Sequence, residues 1–325
     1  MAHLKFRDAV LNVSSGKTVL DTLLDNGIEI PNNCRAGACQ SCLMQVTKGK
    51  VPEKAQLGLK DSFKAKGYFL ACCCQPEENI DICLPDANQI QTRSTVTEIN
   101  KLSDDVIELK ISTDDLYEYY SGQYVTLWRD ESLGRSYSIA GLPDDNNTLT
   151  FHIRLIPNGA FSAWAHNDLR IGDTIFVQGP AGDCFYTKGN PGQNLLLVGT
   201  GTGLAPLYGI IRDALQSEHT GEIHLFHGAL NSQGLYLQDR LTALAHQYTH
   251  FNYHPCVLKA DENMPENIIV GDINDIIFKN VSNPSGWKTY LCGDPDLVKK
   301  LRKQIFLAGS KMNDIYSDPF IYSKK

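Results

Sequence analysis

Three changes of texture along the chain predict a multidomain protein of mixed α+β and α/β class. Residues 1–90 are cysteine-rich and broken by Gly and Pro, residues 91–190 run in short alternating strands, and residues 191–325 couple apolar runs to helical stretches. The 325 residues leave room for two or three domains at roughly 100–200 residues each.

Each part has its own signal. In the first, six of the ten cysteines lie between positions 34 and 74, and Ile80–Leu84 reads as a strand that carries Cys83. In the second, Ser94–Ile99, Val106–Ser112, Tyr124–Trp128 and Thr148–Leu155 are separated by turn residues such as Leu142–Asn147. That pattern predicts an antiparallel barrel or sandwich. In the third, Leu195–Val198 and Ile223–Phe226 are buried-strand runs followed by helical stretches, which predicts a parallel sheet. Boundaries fall in the polar stretches Asn88–Arg93 and Lys188–Gln193.

Composition excludes several function classes. Hydrophobic content of 42% and charged content of 21% are those of a chain able to bury ordinary cores. The net charge of −7, with no Lys/Arg-rich run, argues against nucleic-acid binding. The charge is uneven: residues 1–90 hold ten basic and ten acidic side chains, so the remainder carries the whole excess. That excess reads first as a solvated surface, and second as a field that could steer a basic partner. No apolar run approaches the roughly 18–20 residues of a membrane span. The start, MAHLKFRDAV, lacks the charged head and apolar stretch of a signal peptide. A cytoplasmic location is therefore expected, where thiols stay reduced and ten cysteines need a purpose other than disulfides.

Cys34, Cys39 and Cys42 form C-x4-C-x2-C, and Cys72 follows after 29 intervening residues. This is the plant-type [2Fe–2S] spacing. A loop that supplies three thiolates must wrap the cluster tightly, and Ala36, Gly37, Ala38 and Ser41 are small enough to permit it. A zinc site would favour paired C-x2-C knuckles, and only one such pair exists. Cys72, Cys73 and Cys74 are consecutive, so they cannot all face one iron.

Farther on, Arg135-Ser136-Tyr137-Ser138 ends a strand, followed by His152-Ile153-Arg154 and by Pro157-Asn158-Gly159-Ala160-Phe161-Ser162. Leu195–Val198 leads into Gly199-Thr200-Gly201-Thr202-Gly203 and a helical stretch to about Gln216. A strand, a glycine-rich turn and a helix N-terminus make a pyrophosphate cradle. Near the end stand Cys292-Gly293-Asp294-Pro295 and Ile315-Tyr316-Ser317-Asp318-Pro319-Phe320. In this order the motifs resemble the ferredoxin–NADP reductase superfamily. Over essentially the whole chain they resemble the iron–sulfur flavoprotein NADH reductases that serve bacterial multicomponent oxygenases, and the related reductase of deoxysugar biosynthesis.

The resemblance implies a β-grasp ferredoxin domain at 1–90, an FAD-binding antiparallel β-barrel at 91–190 and an NAD-binding parallel α/β domain at 191–325. It favours Cys72 as the fourth cluster ligand through the run Leu70-Ala71-Cys72, and it places a glycine where this chain has Gln40. It assigns Arg135 and the turn Gly159–Ser162 to the FAD pyrophosphate. Tyr137 would flank the ring, Ser138 would face the nitrogen that receives hydride, and His152, Ile153 and Arg154 would contact the ribityl or phosphate region. Ser136 completes the motif. Phe185 or Tyr186, in the run Gly179–Tyr186, would stack on adenine or serve as core. Gly199–Gly203 would hold the NADH pyrophosphate. Cys292, Gly293 and Asp294 would shape the nicotinamide pocket, and Phe320, or failing that Tyr322, would cover the flavin. No cation precedes Arg240 after the strand Glu222–His227, which favours NADH over NADPH.

The implied function is hydride transfer from NADH to FAD, then single electrons through [2Fe–2S] to a partner oxygenase or similar acceptor, by a monomer. The competing readings are a free-standing diaphorase or quinone-type reductase and a non-catalytic redox sensor.

Overall fold

The computed structural model describes residues 2–32, 34–86, 90–143, 147–262 and 264–321. Part of the boundary 88–93, the centre of the turn at 142–147, and Tyr322 lie outside the described residues. Three sheets follow one another along the chain.

The first sheet contains β1 Ala2–Phe6, β2 Ala9–Val13, β3 Leu43–Lys48, β4 Tyr68–Leu70 and β5 Ile80–Cys83, in the order β2-β1-β5-β3-β4. Helix α1, Val19–Asp25, lies across it, and α2, Asp61–Ala65, precedes β4. Thr18 and Asp21 close a capping box that fixes where α1 starts. β1 alternates buried and exposed residues, and its inward Leu4 and Phe6 join Leu20, Leu23, Met44, Phe69 and Ile80 in one core. The cysteine loop lies between α1 and β3, and its last residue, Cys42, is part of that core.

The second sheet contains β6 Thr92–Lys101, β7 Val106–Thr113, β8 Tyr124–Trp128, β9 Gly134–Ser138, β10 Thr148–Arg154 and β11 Thr174–Ala181. It is antiparallel, with the order β10-β7-β6-β11-β8-β9. A bridge between Ile139 and Phe151 joins the two edges, so the sheet closes as a barrel around Leu109, Leu127, Phe151 and Ile175. Helix α3, Ala160–Asn167, plugs one side through Phe161 and Ala165.

The third sheet contains β12 Leu195–Thr200, β13 Ile223–Ala229, β14 Phe251–Val257, β15 Ile269–Val270, β16 Lys288–Gly293 and β17 Ile315–Pro319. All pairs are parallel, in the order β15-β14-β13-β12-β16-β17. Helices α4 Leu204–Gln216, α5 Gln238–Gln247, α6 Ile273–Asn280 and α7 Pro295–Leu307 connect the strands. Leu195 to Val198 are all at most 2% exposed, as a strand covered on both faces must be. The chain order reverses between β12 and β16. In such sheets ligands settle at the carboxyl ends beside that switch point.

Candidate functional site

A single cavity of about 1120 Å³ lies where the three units meet. The first unit contributes Cys34 and Ala36–Gln40; the barrel contributes Arg135–Ser138 and Ile156–Ser162; the third unit contributes Thr202 and Ser317–Ile321. Motifs that are far apart in sequence thus share one cleft.

At the cysteine end, the loop folds around its sulfurs. The Ala36 and Cys39 amides donate to Cys34 Sγ at 3.4 and 3.3 Å, and the Cys34 amide and Ser41 hydroxyl donate to Cys39 Sγ at 3.4 and 3.3 Å. The thiols come in two pairs. A hydrogen bond with Cys39 draws the Cys34 thiol below the usual range and pushes Cys39 above it. A hydrogen bond with Cys42, then burial, pushes Cys72 up. Among the described residues, no three His, Cys, Asp or Glu side chains converge on one ion position. Two pairs are what a two-iron cluster needs, since each iron takes two thiolates. Cys73 Sγ lies 3.7 Å from Cys72 Sγ, and Cys74 is fully buried in the sheet core.

Gln40 adopts a left-handed φ of 56°. That conformation costs a side-chain-bearing residue roughly 1–2 kcal/mol and costs glycine nothing, which explains why glycine is expected there.

Arg135, Ser136, Tyr137 and Ser138 all border the cleft. They lie on β9, in register with Tyr124–Leu127 of β8. The Arg135 guanidinium donates to the Gly134 carbonyl at 2.7 Å, and Tyr137 meets Phe161 with ring centres 5.4 Å apart. Gly159 caps α3 without a side-chain bond, so the first amides of α3 face the cleft. Ser162 accepts from the Ile156 amide and donates to the Gly159 carbonyl, which closes the turn before the helix. The volume, the adjacent guanidinium and the helix N-terminus fit a dinucleotide flavin.

His152 borders the cleft, but its imidazole points into the protein. Its imidazole is fully buried, 3.0 Å from the Tyr236 hydroxyl, and burial first, then Arg240 and Arg212, hold its pKa near 3. It ties the barrel to the third unit, as does the ion pair of Arg240 with Glu108 at 3.0 Å. The Ile153 side chain is barrel core, and its carbonyl meets His166 Nε2 at 2.9 Å. Arg154 borders the cleft and pairs with Asp105 at 2.7 Å. Phe185 stacks on Tyr120, and Tyr186 is buried against His219, so neither borders the cleft.

At the switch point, Gly199 and Thr200 end β12, and Gly201–Gly203 form one tight turn into α4. A Cβ on Gly203 would lie 2.3 Å from the Cys292 carbonyl oxygen, and one on Gly293 would lie 2.7 Å from the Thr200 oxygen. The two turns are packed backbone against backbone. Asp294 caps α7 by accepting from the Leu297 amide at 2.9 Å. Cys292 is 2% exposed, 3.6 Å from the Cys184 sulfur, and its burial drives the thiol far above its usual range. A thiol so raised disfavours the thiolate that a nucleophile needs.

Phe320 borders the cleft, held by its amide bond to the Gly293 carbonyl at 2.7 Å. Beside it stands Asp318, which sequence reasoning passed over. The Ser138 hydroxyl donates to Asp318 Oδ2 at 3.2 Å. Asp318 borders the cleft and is half-buried, and burial lifts its carboxyl to about 6. The available signal was an acid set in a short terminal strand among Ile315, Tyr316 and Phe320.

Family models match all three units: a 2Fe-2S iron-sulfur cluster binding domain over residues 4–77, an oxidoreductase FAD-binding domain over 93–186 and an oxidoreductase NAD-binding domain over 197–303. The chain is 33% identical over 317 residues to the ferredoxin–NAD(P)+ reductase component of the naphthalene 1,2-dioxygenase system of Pseudomonas putida, covering 96% of this chain and 95% of that one. It is 31% identical over 300 residues to the reductase subunit of an aromatic O-demethylase from an Amycolatopsis species, covering 87% and 88%. Among solved structures, an Amycolatopsis cytochrome P450 reductase superposes with a TM-score of 0.69 at 27% identity, over 98% of this chain and 99% of that one.

Proposed function

Since the chain belongs to the iron–sulfur flavoprotein reductases, the family of ferredoxin–NAD(P)+ reductase components, we propose that its terminal electron acceptor is a separate oxygenase or a similar enzyme. The chain is an oxidoreductase that uses NADH, FAD and a [2Fe–2S] cluster. The observation that carries the proposal is the shared cleft, which the cysteine loop, the flavin motif and the C-terminal strand all border. When bound, FAD accepts an electron pair as hydride and releases electrons singly, and the cluster carries one at a time.

The residues divide the work. Cys34 and Cys39 would hold one iron, Cys42 and Cys72 the other. Arg135 and the N-terminus of α3 would hold the FAD pyrophosphate, with Tyr137 and Phe320 flanking the ring. Ser138, aimed by Asp318, would meet the ring edge where hydride arrives. The Gly201–Gly203 turn would hold the NADH pyrophosphate, and the buried Cys292 would shape the nicotinamide pocket behind it. NADH is favoured over NADPH because Arg240 is engaged by Glu108, and because the Asp261 carboxylate accepts from the Ser232 amide in the loop after β13. Among the described residues no helix is long and apolar enough to cross a membrane. We place the chain in the cytoplasm as a monomer: none of its ten cysteines is joined in a disulfide, and electron-transfer encounters are small and transient.

The ligand set has a direct test. Cys72→Ser is expected to abolish the cluster absorbance while NADH-driven ferricyanide reduction, which draws from the flavin, persists. Cytochrome c reduction should fall by an order of magnitude or more. Cys73→Ser and Cys74→Ser should keep the absorbance. Loss of the cluster from Cys73→Ser with retention in Cys72→Ser would overturn the assignment.

A further inference from the structure

β8 runs under the cysteine loop. Tyr124 and Thr126, two residues apart and so on one face of the strand, reach consecutive carbonyls of that loop. The Tyr124 hydroxyl donates to the Ala38 carbonyl, and the Thr126 hydroxyl donates to the Cys39 carbonyl at 3.3 Å. Thr126 is 2% exposed, and its Oγ1 lies 3.4 Å from Ser136 Oγ, its cross-strand partner in the flavin motif.

The donor count orders this chain. A threonine hydroxyl has one proton, and here Cys39 receives it. Ser136 must therefore donate to Thr126, and its lone pairs remain for the cleft that it borders. We infer that Tyr124 and Thr126 are positioning residues that dock the Cys34/Cys39 half of the cluster on the flavin, with Ser136, Thr126 and the Cys39 carbonyl as the route by which electrons enter it. The Cys42/Cys72 pair is then left for exit. In the step itself one electron leaves the reduced flavin and one iron passes from ferric to ferrous. The hydroxyls keep their protons, and the reduced flavin would keep its ring proton in this one-electron step, releasing it to solvent only with the second electron. This inference rests on the function proposed above and adds the entry side and the residues that set it.

The test uses the full chain loaded with both cofactors, mixed with NADH without oxygen. Flavin bleaching is followed optically, and the reduced cluster by freeze-quench paramagnetic resonance. Thr126→Val keeps the branched shape and removes the hydroxyl. Bleaching should be unchanged, while cluster reduction should slow roughly two- to tenfold, the range set by one lost hydrogen bond. Adding Tyr124→Phe should slow it further, and amide hydrogen exchange over residues 36–42 should quicken in both variants. Thr126→Ser should restore the rate. Cluster reduction at the unsubstituted rate in the double variant, or Thr126→Ser behaving as Thr126→Val does, would overturn the inference. If NADH fails to reduce the cluster in the unsubstituted protein, the proposed function falls instead, so the two failures are distinct.

Discussion

Asp318 shows how a single residue is tuned by its surroundings. Burial raises its carboxyl to about 6, and the hydrogen bond from Ser138 offsets part of that rise. The sign follows from linkage. A carboxyl whose folded value lies above its ordinary 3.8 favours the fold at low pH, and that advantage is lost as pH rises through about 6. Above that point the fold carries a half-buried carboxylate at the cleft. Asp318→Asn keeps an acceptor for Ser138 and removes the charge. It is therefore expected to stabilise the protein by on the order of 1–2 kcal/mol at alkaline pH and to change little in acid. Thermal melts at the two pH values read this directly, and hydride transfer should slow in the same variant. Equal shifts at both pH values would contradict the burial argument. The same scale separates what was legible from what was not. Cys34, Cys39 and Cys42, Arg135–Ser138 and Gly199–Gly203 could be read because each motif is contiguous. Asp318 meets Ser138 across 180 residues, and Tyr124 and Thr126 meet the cysteine loop across 86 and 87, so no local pattern could reveal them.

Among the elements, strand positions were the most legible. Val106–Ser112, Tyr124–Trp128 and Thr148–Leu155 agree with β7, β8 and β10 to within a residue at each end, because runs rich in β-branched and aromatic residues bounded by turn residues mark a strand whether one face is buried or both. The helix expected to run to Gln216 ends there. What the pattern could not show is which turns would pack on which. The Gly203 turn meets the Cys292 turn because β12 and β16 are neighbours, which is a property of sheet order. At Gly203 the φ of −58° suits any residue, yet the space for a Cβ is already taken by the Cys292 backbone. Gly203→Ala should therefore force the two turns apart at a cost of roughly 1–3 kcal/mol. The expected result is a raised KM for NADH with the flavin and cluster spectra intact. An unchanged KM would show that the turn does not hold the nucleotide.

At the scale of the whole molecule, the arrangement is a circuit with two fixed joints. Barrel and parallel sheet are bound by the buried His152–Tyr236 bond and the Glu108–Arg240 pair. Barrel and cysteine domain are bound through the hydroxyls of β8. Both joints bring cofactor-bearing loops to one cleft, so the flavin can stand between a donor that delivers electrons in pairs and a cluster that takes them singly. The most direct test of this account is an anaerobic titration of the fully loaded chain with NADH. The account expects uptake of about three electrons per chain, two on the flavin and one on the cluster, with flavin bleaching accompanied by the paramagnetic signal of a reduced [2Fe–2S] centre. Uptake that stops at two electrons, with the flavin bleached and no cluster signal, would contradict it.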